Sequence, residues 1–294
     1  MSFMSAFIAI IGPPNVGKST LLNRILGTKV AIVSPKPQTT RNRMIGIYHG
    51  DGFQMVFMDT PGIHKTRTAL HESMVKAARA ALHEVDILLL LIELNRSDDP
   101  EIASIIGNLK GTRKPCLLVI NKIDTGPKEQ LLPIIDHYRK LYPFEAIIPI
   151  SAMQGEGVDT LLGELKSRLR SGPQFFPADM KTDQTEPFLV SEIIREKIYV
   201  HTKKELPYSA AVTVDKIQEI PQKNLLSISA RIHVETDSQK GIVIGQGGQM
   251  IKAIGRSARL ELEKIFSARV YLDLMVRVEK NWSKDPRALR RLGY

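Results

Sequence analysis

Short apolar runs recur through the first part of the chain, at residues 7–11, 44–48, 55–58, 87–92, 117–120 and 147–150, several of them unbroken in Val, Ile and Leu. An unbroken apolar run of this length fits a strand covered on both faces, as in a buried parallel sheet. Helical spacing appears between the runs, near 17–26, 69–83, 99–109, 128–141 and 157–170. Strands alternating with helices predict a doubly wound, mostly parallel α/β sheet. Residues 171–187 carry Gly172, Pro173, Pro177 and Pro187 without a clear period, which marks a linker.

The rhythm then changes. Residues 187–201 read as a helix with Leu189, Ile193, Ile194 and Ile198 on one side, and 209–218 and 225–236 read as strands. A glycine cluster, a helix at 248–266 and a strand at 270–278 follow. In that helix Ile251, Ile254, Ala258, Leu262 and Ile265 keep the spacing of one buried face. The order is α–β–β–α–β, with room for a short helix before the glycines. Pro286 is placed to open a short terminal helix. The expected division is 1–170, a linker at 171–186, a second domain at 187–280 and a tail at 281–294.

Composition narrows the class. The chain has 294 residues, 43% hydrophobic and 24% charged, the balance of a globular protein long enough for two domains. Its longest aliphatic run near the middle, 87–92, falls far short of the roughly 20 residues that span a bilayer. The N-terminus lacks the basic region and cleavage site of a secretory signal. A single cysteine, Cys116, excludes an internal disulfide and a thiolate cluster, and a cytoplasmic address is expected. The net charge of +10 is uneven. Residues 1–170 hold 21 basic and 16 acidic side chains, 171–240 hold 9 and 10, and 241–294 hold 11 and 5. Two basic zones around a neutral stretch point to anionic partners at two places.

The first zone contains the chemistry of a phosphate site. Gly12-Pro13-Pro14-Asn15-Val16-Gly17-Lys18-Ser19, followed by Thr20, matches the P-loop pattern between the first strand and the first helix. Its glycines let backbone N–H groups wrap an anion at a helix N-terminus, Lys18 reaches the β- and γ-phosphates, and the Ser19 hydroxyl suits Mg²⁺. Asp59-Thr60-Pro61-Gly62 follows the 55–58 strand, where a carboxylate can hold the metal through water and a glycine N–H can sense the γ-phosphate. Asn121-Lys122-Ile123-Asp124 follows the 117–120 strand, and the Asp124 carboxylate can accept from the guanine N1–H and 2-amino groups, which adenine lacks. Ser151-Ala152-Met153 can offer an N–H to the guanine O6. All four clusters fall at C-terminal strand ends, where ligands bind in open α/β sheets.

The order and spacing look like a translation-factor-class GTPase, and Asn15-Val16-Gly17-Lys18-Ser19-Thr20 resembles the Era family closely. The likeness extends to Gln38-Thr39-Thr40-Arg41, to 191–197 and to Glu205-Leu206-Pro207-Tyr208, and so covers nearly the whole chain. It implies a GTP/GDP-binding P-loop NTPase with Mg²⁺ held by Ser19 and a switch threonine, Thr40 with Thr39 as the alternative. Lys18, Asp59, Thr40 and Gly62 are then the catalytic candidates, and Asn15 matches an asparagine that helps bind potassium in related GTPases. Ile63 stands where small signalling GTPases carry a water-orienting glutamine, so hydrolysis is expected to be slow unless stimulated. Arg41 and Arg43 are weaker finger candidates.

Gly245-Gln246-Gly247-Gly248 is the landmark of the second zone. A Gly-x-x-Gly turn before a helix lets a nucleic-acid backbone approach closely. The context resembles a KH type II domain, an α+β fold, except that Gln246 and Gly247 stand where KH loops often carry Lys or Arg. Lys252, Arg256 and Arg259, at helical spacings of four and three, supply cations on a face opposite Ile251 and Ile254. The tail adds Trp282, Lys284, Arg287, Arg290 and Arg291; Trp282 either stacks on an RNA base or caps the domain core. By resemblance the partners are 16S rRNA near its 3′ end and the 30S subunit, with peripheral association at the cytoplasmic face of the inner membrane a further candidate. The alternative is a GTP-dependent switch docking a membrane surface or a protein through its C-terminal domain, and no feature requires an oligomer.

Overall fold

The computed structural model describes residues 2–33, 44–59, 85–202 and 206–294. The expected helix at 69–83 lies outside these residues, as do Thr39, Thr40, Arg41, Arg43, Thr60, Gly62, Ile63 and Glu205. The chain forms two compact units, one built largely before Gln184 and one holding Gln184–Tyr294.

In the first unit β1 (Met4–Ile11) lies between β3 (Phe53–Asp59) and β4 (Ile87–Glu93). β5 (Cys116–Asn121) and β6 (Ala146–Pro149) extend the parallel sheet beyond β4, and β2 (Met44–Gly50) joins β3 antiparallel at the other edge. Every residue of β3 and β5 is buried, which is why these strands read as continuous apolar runs. The order reverses at β1, so a crevice opens beyond its C-terminal end. Helices Lys18–Leu26, Pro100–Leu109, Leu131–Leu141 and Val158–Lys166 lie between the strands in sequence. Asp99 caps the second of these, accepting from Glu101 N at 3.0 Å, with Pro100 in the first turn. Cys116 is buried in this core, and burial pushes its thiol up to about 12.

The stretch expected to be a linker has a structural role up to residue 183. Its first residue, Ser171, forms β7 with the preceding residue (Arg170–Ser171), which pairs with β1. The following segment then runs along the sheet edge, where Ile47 N donates to Lys181 O at 2.9 Å and Thr182 Oγ1 to Ile45 O at 2.7 Å. The Gln54 side chain, wholly buried, accepts from Phe175 N and Phe176 N at 3.0 and 3.2 Å. The bonds to Ile45 and Ile47 cover β2, an edge strand that would otherwise offer unpaired backbone groups.

In the second unit β8 (Ala211–Ile220) and β9 (Leu225–Val234) form an antiparallel pair, and β10 (Arg269–Val278) adds parallel to β9. Helices Glu186–His201, Asp237–Ile244 and Gln249–Phe266 complete an α–β–β–α–α–β order. Ile193, Ile198, Ala230, Ile232, Val243, Ile254, Ala258 and Leu262 share one core cluster beneath the helices. Thr185 and Thr236 cap the first two helices through Phe188 N and Gln239 N. Within Glu186–His201, Arg195 and Glu192 form a buried bidentate pair at 2.5 and 2.6 Å, so part of the 191–197 signature serves packing.

Candidate nucleotide site and nucleic-acid interface

Beyond β1 the chain wraps into the Lys18–Leu26 helix, whose N-cap is Gly17 at φ 100°. A Cβ on Gly17 would lie 2.3 Å from Asn121 Nδ2, so the turn needs glycine for both conformation and space. Lys18 is buried, with Nζ donating to Gly12 O at 2.9 Å and Pro13 O at 2.7 Å. Burial pushes its ammonium down to about 8, opposed by the Asp59 charge. A cation desolvated to this degree is relieved by an anion such as a phosphate. Asp59, at the end of β3, accepts from Ser19 Oγ at 2.6 Å. A hydroxyl and a carboxylate held together are hard oxygen donors that fit Mg²⁺.

On the other side of the crevice Asn121 fastens two loops. Its Nδ2 donates to Val16 O at 2.7 Å, and its Oδ1 accepts from Ala152 N at 2.9 Å. Asn121 is therefore placed to position the loops, with both ends of its amide engaged by backbone. Lys122, at φ 62°, pairs with Glu93 Oε2 at 2.7 Å. Asp124 is exposed in the Ile123–Thr125 turn, presenting an acceptor-only group to a base. In the next loop Ser151 N donates to Glu156 O and Ala152 N to Asn121, which leaves Met153 N as the candidate donor to a guanine O6. Gly12, Asn15, Val16, Gly17, Lys18, Ser19, Asp59, Asn121, Asp124 and 151–153 thus follow the ends of β1, β3, β5 and β6.

Three supporting residues carried no motif signal. Arg24 donates through Nε to Ala152 O at 3.1 Å and through a second nitrogen to Met153 O, clamping the guanine-side loop from the P-loop helix. Asn23 accepts from Val30 N and Ala31 N, each at 2.9 Å, and fixes the loop leaving that helix. Glu93 holds Lys122. The helical placement of Arg24 and Asn23 was legible, but their partners lie across loops whose course the pattern does not give.

In the second unit Gly245 lies at φ 72°, where an added Cβ would meet Met250 Cβ at 2.7 Å. Around Gly247 and Gly248 no atom beyond the adjoining chain lies within 4 Å of such a Cβ, so this side of the turn is open to an approaching backbone. Gln246 and Gly247 are exposed. Lys252, Arg256 and Arg259 border a groove of about 350 Å³ whose floor is Ile251, Leu272 and Leu274 of the helix and β10. Ile251 therefore sits with the cations rather than opposite them, because the helix buries the narrower face of Ile254, Ala258 and Leu262. Arg259 also lies 3.9 Å from Glu263.

The tail departs from one expectation. Trp282 is wholly buried, donates from Nε1 to Ser209 O at 3.1 Å and stacks on Tyr294 at 5.8 Å. Its ring belongs to the domain core and is not available to stack on a base. Arg287 and Arg290 are exposed on the Pro286–Arg291 helix, while Arg291 and Leu292 border a different pocket, away from the groove.

Residues 7–122 match the family model of the 50S ribosome-binding GTPases, and residues 205–283 match that of the KH domain. The chain is 55% identical to the GTPase Era of Syntrophus aciditrophicus, covering 99% of this chain and 95% of that protein. It is 51% identical to the GTPase Era of Geobacter metallireducens, over 99% and 98%. A crystal structure of an Aquifex aeolicus Era variant bound to GDP·AlF4⁻ superposes with a TM-score of 0.95 at 41% identity, covering 99% of each chain. A structure of Era with MgGDPNP and nucleotides 1506–1542 of 16S ribosomal RNA gives the same score, identity and coverage. With a P-loop nucleotide site, a KH domain and full-length identity of this order, the chain belongs to the Era family of GTPases.

Proposed function

We propose that the chain hydrolyses GTP with Mg²⁺ and couples its nucleotide state to binding of 16S rRNA near the 3′ end, in maturation of the small ribosomal subunit. The observation that carries the reading is the cluster of Lys18, Ser19 and Asp59 at the sheet's reversal point, with Asp124 exposed at the end of a nearby strand. In this reading Lys18 leaves its carbonyl partners to meet the β- and γ-phosphates, and Ser19 with Thr40 holds the metal. Bound Mg²⁺ offsets phosphate charge as the γ-phosphoryl group departs. Asp124 selects guanine, and Gly62 senses the γ-phosphate. The Gly12–Gly17 backbone and Thr20 complete the cradle, and Ile63 leaves intrinsic hydrolysis slow. RNA lies over the 245–248 turn with bases on the apolar floor and phosphates along Lys252 and Arg256.

The relative solved with MgGDPNP and 16S rRNA supports the reading that both a guanine nucleotide and this RNA are ligands. Asn15 adds potassium to the proposed cofactors. Measuring GTP turnover in potassium and in sodium, with Lys18→Ala beside the unaltered chain, tests both points. Turnover lost in Lys18→Ala and faster in potassium is the expected result. Undiminished turnover in the variant overturns the site, and equal rates in the two salts overturn the cation.

A further inference from the structure

The sheet of the second unit has two faces of different chemistry. One carries the core beneath the helices, and the other carries Thr213, Arg231, His233 and Arg277. On this second face the C-terminal segment, with its short Pro286–Arg291 helix, closes a pocket of about 410 Å³, adding Glu279, Arg291 and Leu292. Three guanidiniums therefore border one hollow. Arg231 pairs with Asp215 at 2.9 Å, and Arg291 pairs with Glu279. Arg277 is exposed and has no carboxylate partner among the described residues. His233 sits inside, accepting from Thr213 Oγ1 at 2.9 Å on Nε2 and donating from Nδ1 to Glu279 at 3.0 Å. Burial first, and then Arg231, Arg277 and Arg291 around it, push the imidazole down to about 4 against the opposing Asp215. The ring is thus neutral at pH 7, and one positive charge of the cluster has no counterpart.

Gathered like charges raise the local potential and attract an anion, and guanidiniums in a fork suit the oxygens of a phosphate. β10 is an edge strand, and its residues on this face include Tyr271 and Met275, 61% and 53% exposed. Exposed aromatic and thioether side chains beside a cationic hollow fit a nucleic-acid strand that passes over the β10 edge from the groove.

We propose that the Arg231–Arg277–Arg291 pocket is a second phosphate-binding site, which holds a backbone phosphate of the RNA strand after it leaves the 245–248 groove. The inference rests on the RNA reading of that groove. It is tested with Arg277→Gln and Arg231→Gln, whose thermal transitions are checked against the unaltered chain. Arg277→Gln is exposed and keeps the ion pairs intact. Two probes are titrated over a range of salt, a single-stranded RNA of about eight nucleotides, within one-module site sizes, and the full 1506–1542 segment. The expected result is unchanged affinity for the short RNA and a three- to tenfold loss for the long one. The salt slope for the long RNA should also fall by about 0.7 per lost phosphate contact. Affinity and slope unchanged for both RNAs in folded variants overturn the second site alone. An unaltered chain that binds neither RNA overturns the groove reading and this one together. If inorganic phosphate or anionic phosphatidylglycerol vesicles are bound in an Arg277-dependent way while long-RNA binding is unchanged, the phosphate belongs to another source and the proposal fails.

Discussion

The role proposed for Asp124 would rest base selectivity on one exposed side chain. An ionised carboxylate only accepts hydrogen bonds, so it matches two donors on one edge of guanine. Asp124→Asn sets an N–H donor against one of them and removes the charge assistance, at a cost of about 1.5–3 kcal/mol. GTP affinity should then fall on the order of 10–100-fold. Xanthosine triphosphate, which has a carbonyl in place of the 2-amino group, should bind the variant better than GTP does. Calorimetric titration with both nucleotides checks the exchange, and unchanged GTP affinity contradicts the role. Lys18, Ser19, Asp59 and Asp124 were legible because chemistry fixes their types and spacing. Arg24 was not, since a cation in a last helical turn is ordinary and only the fold shows that it clamps the Ala152 and Met153 carbonyls.

Among the elements, the C-terminal segment carries the clearest divided expectation, and Trp282→Phe separates its two roles. The substitution removes the bond to Ser209 O and part of the stack on Tyr294, and should destabilise the second unit by about 1–3 kcal/mol. RNA affinity of the folded variant should stay within twofold. A large affinity loss at unchanged stability, read by filter binding and urea unfolding, would restore the stacking role. The inner strands were readable in sequence because both their faces are buried, as the fully covered β3 and β5 show. Their ends were less so: β3 begins at Phe53, two residues early, because Gln54 is buried by bonds to Phe175 and Phe176 that no apolar pattern announces. The Asp237–Ile244 helix was only half visible, since Gly241 interrupts it and a glycine turn follows. Residues 172–183 read as linker because they engage the sheet edge largely through backbone, which leaves no period in the side chains.

For the whole molecule, the uneven charge acquires an address. The N-terminal excess includes a lysine buried at a phosphate cradle, and the C-terminal excess is shared between the groove and the opposite face of the same sheet. That second face also gives the molecule a pH dependence. His233 is faced by Arg231 of its own strand, by Asp215 and Arg277 of the neighbouring strands, and by Glu279 and Arg291 of the terminal segment. Its folded value near 4 lies below the ordinary 6.5, so between them the unfolded chain binds more protons. Stability from this group is complete above about 6.5 and is lost as pH falls toward 4. Urea unfolding from pH 7.5 to 4.5 should show the decline, and His233→Gln should flatten it; an equal slope in the variant contradicts the assignment. The central claim, that one chain couples a GTP site to an RNA site, is tested most directly by filter binding of the 1506–1542 RNA segment with GDPNP and with GDP. The account predicts at least about tenfold tighter binding with GDPNP, a coupling of about 1.4 kcal/mol. It also predicts loss of binding in Gly248→Asp, whose carboxylate would face the RNA backbone. Equal affinity in the two nucleotide states, undisturbed by Gly248→Asp, would contradict it.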